Sequence, residues 1–186
     1  MPRRRFIFDP PERFVTGTVG EPGQRTFFLQ ARDGGRVVSV ALEKVQVAVL
    51  ADRLGQLLTE LERRGLAPEL GADTAQNDTS PLDEPLNEAF RAGALTLGWD
   101  GESERVLVEA RAESEDGEPI DPDEDDDEDE NGPDLLRVRM TANAARGFVE
   151  RAVRIVASGR PPCPLCGQPL EPTGHLCPRR NGHYVN

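Results

Sequence analysis

Three cysteines and two histidines near the carboxyl end are the residue types that bind a transition metal. Cys163 and Cys166 frame the stretch Cys-Pro-Leu-Cys-Gly, and Cys177 follows within Gly-His-Leu-Cys-Pro. A Cys-x2-Cys knuckle followed by glycine directs two thiolates at one ion, and three thiolates with one imidazole complete the tetrahedral shell that zinc prefers. The sequence therefore predicts a zinc-ribbon-like knuckle over residues 161–186.

The fourth ligand has two candidates. His175 lies two residues before Cys177, whereas His183 lies beyond the Asn181-Gly182 turn, close to the end of the chain. Chain ends tend to fray, which favours His175. The odd cysteine count disfavours a disulfide. Four protein ligands leave no open coordination position, so the predicted zinc is structural rather than catalytic. The predicted ligands are Cys163, Cys166, His175 and Cys177.

A second candidate site lies near the amino end, where Arg13 and Arg25 flank glycines at positions 17, 20 and 23. Exposed backbone N–H groups with arginine counter-charges can bind a phosphate. The spacing matches neither a P-loop nor a dinucleotide fingerprint. The alternative is that these glycines only shape a β-turn and a bulge. Both histidines and all three cysteines lie in the metal region, so the sequence offers no catalytic triad, and we assign no catalytic residues.

The negative charge of the chain comes from one tract. The formal net charge is -12, and residues 113–134 contain 14 acidic residues and no basic one. A tract of this composition repels itself and cannot bury apolar surface, so it is predicted to be a disordered insertion. Residues 135–186 are basic, which leaves a weaker alternative of nucleic-acid binding there. No aromatic residues interleave the arginines as a nucleic-acid platform would require, which argues against that alternative.

The remaining chain is predicted to be one unit used twice. Strand patterns at residues 13–19, 26–31 and 37–42 precede a helical pattern that ends at Gly65. The same order recurs later, with residues 37–42 lying over 135–140 at an offset of 98 and a second helix near 142–158. The pseudo-repeats cover about 13–65 and 89–159, within a body of residues 1–160. The predicted fold class is α+β, a duplicated strand-strand-strand-helix unit with an antiparallel sheet.

Composition excludes an integral membrane protein. No apolar run approaches the roughly 18 residues that a membrane helix needs. The start, Met-Pro-Arg-Arg-Arg-Phe-Ile-Phe-Asp, has too short an apolar stretch for a signal peptide. We therefore expect a cytoplasmic protein.

Two long motifs identify a resemblance. The first runs from Phe8 to Arg25 and contains Phe-Asp-Pro-Pro-Glu-Arg-Phe followed by Gly-Thr-Val-Gly-Glu-Pro-Gly-Gln-Arg. The second is the stretch from Cys163 to Gly182. Together they resemble an uncharacterised actinobacterial family of unknown function over essentially the whole chain apart from the insertion. The resemblance implies histidine-phosphatase-like and lipid-kinase-like proteins as partners, and hence phosphorylated substrates. It supplies no catalytic residues.

Two functions follow as hypotheses. The first is a non-catalytic binding or adaptor protein with a zinc-stabilised α+β body. The second is a phosphate-handling enzyme, or an accessory subunit of one, with Arg13 and Arg25 at its ligand site. The lack of a nucleophile with its base favours the first hypothesis.

Overall fold

The computed structural model describes residues 2–67, 78–114, 131–159, 163–167, 170 and 177. Seven strands and two helices follow one another in the order β-β-β-β-α-β-β-β-α. The elements are β1 (Arg5–Phe8), β2 (Arg13–Val19), β3 (Thr26–Asp33), β4 (Arg36–Leu42), α1 (Lys44–Arg63), β5 (Glu88–Asp100), β6 (Arg105–Ala112), β7 (Leu135–Met140) and α2 (Ala142–Ala157).

All seven strands form one mixed sheet in the order β1-β7-β6-β5-β4-β3-β2. The expected antiparallel sheet is therefore only partly correct, because β4 pairs with β5, and β1 with β7, in parallel. The reason lies in the connection between β4 and β5. A crossover through α1 carries the chain back to the end where β4 began, so the next strand enters in the same direction.

The elements form where the hydrophobic pattern changes period. In β4, Val38, Val40 and Leu42 alternate onto the core face. In α1 the buried residues fall at helical spacing: Val47, Leu50, Ala51, Leu54, Leu58 and Leu61. The second helix begins at an N-cap, where the hydroxyl of Thr141 accepts a hydrogen bond of 3.2 Å from the backbone N–H of Ala144.

The two helices pack against each other and against the sheet. The last helix follows β7 yet packs against β2 near the far edge, where Phe14 and Phe148 stack with ring centroids 4.8 Å apart. Arginines bind backbone carbonyls of both edge strands. Arg151 donates to the carbonyl oxygen of Thr16 in β2 at 2.6 Å, and Arg36 donates to that of Ile7 in β1 at 2.5 Å.

Three further features bear on the sequence expectations. The sequence pattern did not predict β1, and β5 extends over 13 residues. The connection between β6 and β7 runs over residues 113–134, of which 115–130 lie outside the described residues, as does most of the segment 161–186. Within the part of the chain that the structure describes, neither helix is long and apolar enough to cross a membrane.

Candidate metal centre and arginine clusters

The three cysteines converge on one point. The Sγ atoms of Cys163, Cys166 and Cys177 all lie within 4.8 Å of one another, and those of Cys163 and Cys177 are 3.9 Å apart. Cys163 and Cys177 are buried, whereas Cys166 is half-buried. Tetrahedral zinc with Zn–S bonds of about 2.3 Å separates its sulfur ligands by about 3.8 Å, so this arrangement fits a zinc ion without a large rearrangement.

The knuckle around Cys163 has the local geometry of a metal-binding turn. The backbone N–H of Gly167 donates to the carbonyl oxygen of Cys163 at 2.8 Å, and Gly167 takes a φ of 74°, which favours glycine. The N–H of Leu165 points at the Cys163 sulfur, 3.4 Å away. Hydrogen bonds from the backbone N–H groups of Cys166 and Leu165 lower the pKa of the Cys163 thiol. These contacts favour the thiolate, which is the form that binds metal.

The predicted fourth ligand, His175, and its alternative, His183, both lie outside the described residues. The three thiols therefore stand as a group that could hold a metal ion, with two short chain segments supplying the ligands. Cys163 and Cys166 come from one turn, and Cys177 comes from the segment that follows it. A metal ion bound by this set would join two parts of the chain.

Arg13 lies at the start of β2, and its guanidinium is engaged on all sides. Its Nε and Nη2 atoms donate to the carboxylate of Asp78 at 2.6 and 3.0 Å, and Nη1 donates to Asp83 at 2.7 Å. Nη2 also donates to the carbonyl oxygens of Ser80 and Pro81, each at 3.0 Å. Arg13 therefore fastens the segment before β5 onto β2.

Arg151 binds the same carboxylate from α2. Its Nη1 atom lies 3.0 Å from Oδ1 of Asp78, and its side chain is only 5% exposed. The pKa of Asp78 is lowered, chiefly by its hydrogen bonds from Arg13. The same bonds raise the pKa of Arg13, whereas burial lowers the pKa of Arg151. Asp78 thus joins β2 and α2 through two arginines.

Arg25 lies far from Arg13. Arg13 pairs with Arg32 at one end of the β2–β3 hairpin, whereas Arg25 precedes Thr26, which pairs with Val19 at the other end. The two ends are separated by about 20 Å of strand. Arg25 donates through Nη1 to the carbonyl oxygen of Ser158 at 2.9 Å. The structure therefore does not bring the two predicted phosphate-binding residues into one site.

The glycines between Arg13 and Arg25 have separate roles. A Cβ atom on Gly17 would lie 2.6 Å from the Cγ atom of Leu82, so the absence of a side chain admits Leu82 to the sheet face. Gly20 and Gly23 adopt φ values of 106° and 94° in the hairpin turn. These are conformations that favour glycine and fit the turn interpretation.

Sequence reasoning missed two residues that matter in the structure. Asp78 carries no local signal, because its partners Arg13 and Arg151 are distant in the sequence. Lys44 is the single lysine among 22 basic residues, and it lines a cleft with Arg25. That rarity was the one sign that could have drawn attention to it.

Comparison with known proteins gives a family. No curated protein and no solved structure matches the chain. One family model matches residues 6–177, from the second residue of β1 to Cys177, the third cysteine of the candidate metal centre. The chain therefore belongs to the family described as a protein of unknown function, DUF3090.

Proposed function

We propose that this protein is a zinc-stabilised, non-catalytic binding or adaptor protein of the cytoplasm. The observation that carries the proposal is the convergence of all three cysteines of the chain within 4.8 Å. In this proposal Cys163, Cys166 and Cys177 bind one zinc ion with His175 as the fourth ligand. Three cysteines that share one cluster without forming a disulfide also suit a reducing compartment, which supports the cytoplasmic assignment.

The composition of the ligand set supports a structural rather than a catalytic ion. A shell of three thiolates and one imidazole is complete, so no position remains for a reactive water. The chain has only two histidines and three cysteines, and all of them lie between residues 163 and 183. A cysteine or serine nucleophile with a histidine base would have to dismantle the metal site. The protein therefore acts by presenting a surface.

Zinc content tests this proposal directly. We expect native mass spectrometry of the untagged protein, purified without chelators, to show one zinc ion per chain. The variant His175→Ala is expected to lose zinc to a chelator concentration that the wild-type protein withstands, because it lacks one of four ligands. His183→Ala is the matched control, since it removes the other histidine and is expected to retain zinc.

Two results would contradict the proposal. If only the His183→Ala variant loses zinc, His183 is the fourth ligand and the assignment of His175 is wrong. A protein that is isolated folded and free of metal, and that gains no thermal stability when zinc is added, would remove the metal site itself, because an ion bound by the native state alone must stabilise it.

We also propose that the body arose by duplication of a strand-strand-strand-helix unit. The support is positional. The units β2-β3-β4-α1 and β5-β6-β7-α2 have the same order and occupy neighbouring halves of the sheet. The first helix begins at Lys44 and the second at Ala142, and β4 and β7 end at Leu42 and Met140, so both pairs keep the offset of 98 residues.

The alternative function is a phosphate-handling enzyme or an accessory subunit that acts with phosphatase-like and kinase-like partners. One observation favours keeping it: Arg25 lines a cleft with a second basic residue, Lys44. The contacts of Arg13 with Asp78 and Asp83 supply no comparable support, because its donors are already used.

A further inference from the structure

We infer that the cleft containing Arg25 and Lys44 is a binding site for a phosphomonoester with an apolar body. This inference goes beyond the zinc proposal and does not depend on it. It is close to the alternative function, but it assigns a different site: Lys44 replaces Arg13 as the second cation. It also assigns the class of ligand.

Three parts of the fold build the cleft. They are the turn between β2 and β3, the beginning of α1 and the end of α2. The volume is about 470 Å³, which lies in the range of small-molecule sites. The lining residues are Pro22, Gly23, Arg25, Phe27, Lys44, Ile155, Val156, Ala157 and Gly159.

The charge of this cleft is positive among the residues that the structure describes. Of these, the lining contains two basic side chains and no carboxylate. The side chain of Lys44 has no hydrogen bond or ion pair within the described ranges. The neighbouring acid, Glu43, pairs instead with Arg91 at 2.9 Å. Two unopposed cations at one cleft attract an anion strongly, because their fields add in a partly enclosed space.

Arg25 is oriented for use by a ligand. Its Nη1 atom donates to the carbonyl oxygen of Ser158 at 2.9 Å and approaches the hydroxyl of the same residue at 3.3 Å. That contact anchors the guanidinium at the end of α2, where the helix leaves carbonyl groups unsatisfied. The remaining donors, on Nε and Nη2, have no partner in the described part of the chain. An anchored guanidinium with free donors loses little entropy on binding an oxyanion.

The composition of the lining selects the ligand class. Two cations match the charge of a phosphomonoester near neutral pH better than that of a carboxylate. Phe27, Ile155 and Val156 supply an apolar wall beside the cations. Inorganic phosphate would leave that wall in contact with water, whereas an organic group attached to the phosphate would cover it. The geometry therefore points to an organic phosphate rather than a free phosphate ion.

Calorimetric titration of the zinc-loaded full-length protein with phenyl phosphate tests the inference. We expect saturable binding with one site per chain. Benzoate and inorganic phosphate are expected to bind about tenfold more weakly, because the first has less charge and the second lacks the apolar group. Lys44→Gln is expected to weaken phenyl phosphate binding about tenfold, because it removes a charge-assisted contact from an exposed position without disturbing the core.

Arg53→Gln is the matched control. It also removes one positive charge from the exposed face of α1, but it lies about 13 Å further along the helix, beyond the screening length of physiological salt. We expect it to change the dissociation constant by less than about twofold.

Several outcomes would overturn the inference. The first is the absence of saturable phenyl phosphate binding at millimolar concentration. The second is a Lys44→Gln variant that binds phenyl phosphate as tightly as the wild-type protein. The third is an Arg53→Gln variant whose affinity falls as much as that of Lys44→Gln, which would indicate attraction to net charge alone. Benzoate binding as tightly as phenyl phosphate would reject the ligand class. Zinc content measured on the same samples keeps the two proposals apart, since a zinc-loaded protein that binds no phosphate contradicts only this one.

Discussion

Asp78 links α2 to β2 through two arginines. Its carboxylate accepts hydrogen bonds from Arg13 and Arg151, whose side chains are 10% and 5% exposed. A buried guanidinium that loses its carboxylate keeps the cost of leaving water and loses the compensating attraction. Asp78 is the carboxylate that these two arginines share, while Arg13 also pairs with Asp83 at 2.7 Å.

We predict that Asp78→Asn lowers the free energy of unfolding at pH 7 by about 1–3 kcal/mol, because it removes the carboxylate that the buried Arg151 shares with Arg13. The pKa of Asp78 is lowered in the folded state. Its contribution is therefore complete above the unfolded-state value of about 3.9, and it is lost as the pH falls through the lower folded-state pKa. Urea unfolding at several pH values measures both effects.

Asp52→Asn is the control for this prediction. Asp52 is exposed on α1, where its carboxylate accepts one hydrogen bond from Gln56 at 2.8 Å. We expect a change of less than about 0.5 kcal/mol. Equal destabilisation by the two variants, or a pH dependence that Asp78→Asn leaves unaltered, would show that Asp78 does not hold these elements together.

Some of the residue contacts could be predicted from local sequence, and others could not. The cysteine cluster could be predicted because Cys163 and Cys166 share one knuckle and metal-ligand spacing is a local property. The role of Arg13 could not, because its partner Asp78 lies 65 residues away in a segment with no periodic pattern. An arginine beside glycines looks the same whether it binds a ligand or an internal carboxylate.

At the scale of elements, the bulge in β5 shows how the insertion is attached to the sheet. The register between β5 and β6 shifts between Ala92 and Ala94. The residue between them, Gly93, faces the backbone of Glu113, whose N–H donates to the carbonyl oxygen of Arg91 at 3.0 Å. A glycine is required here because the first residue after β6 crosses directly over it.

We predict that Gly93→Ala destabilises the protein by about 1–3 kcal/mol, because an added methyl group forces backbone to move. Its Cβ would lie 2.8 Å from the Cα atom of Glu113, which cannot rotate away as a side chain could. Thermal unfolding measures the loss.

Gly55→Ala is the matched control for this substitution. Gly55 lies within α1, where the nearest atom to an added Cβ is 3.9 Å away on Val149. Alanine is a better helix former than glycine, so we expect stabilisation by about 0.5–1 kcal/mol. Destabilisation by Gly55→Ala, or none by Gly93→Ala, would contradict this account of the two sites.

The elements themselves were largely predictable, whereas their pairing was not. Alternating residues predicted β4, and helical spacing predicted α1, because side-chain periodicity is a direct consequence of backbone geometry. The four-residue strand β1 was not predicted, since Arg-Phe-Ile-Phe is too short to show a period. Its parallel pairing with β7 joins residues about 130 positions apart, and no local pattern encodes such a contact.

At the scale of the whole molecule, net charge resides in one connection. Residues 115–130 contain 12 acidic residues and no basic one, which equals the magnitude of the formal net charge of the protein, -12. The acidic and basic side chains of the remaining chain are therefore equal in number, and its formal net charge at pH 7 is zero. Proteins near zero net charge associate more readily because long-range repulsion between molecules is lost.

We predict that replacing residues 115–130 by a glycine-serine segment of equal length reduces solubility at pH 7 and low salt by roughly twofold or more. Precipitation by polyethylene glycol measures this. Deletion of the same residues serves as the control, because it removes the same charge with a different length. If the glycine-serine variant is as soluble as the wild-type protein, the charge of the tract does not maintain solubility. If only the deletion variant is less soluble, the effect comes from the length of the connection.

The position of β1 has a consequence for synthesis. Because β1 pairs with β7, it cannot take its place in the sheet until residues 135–140 have been synthesised. Until then Phe8, only 1% exposed in the folded molecule, lacks the neighbouring strand that helps to cover it. Contacts between such distant segments form late. A chain that stops short of β7 therefore leaves β1 unpaired and part of its aromatic surface exposed, whereas a chain that includes β7 covers that surface.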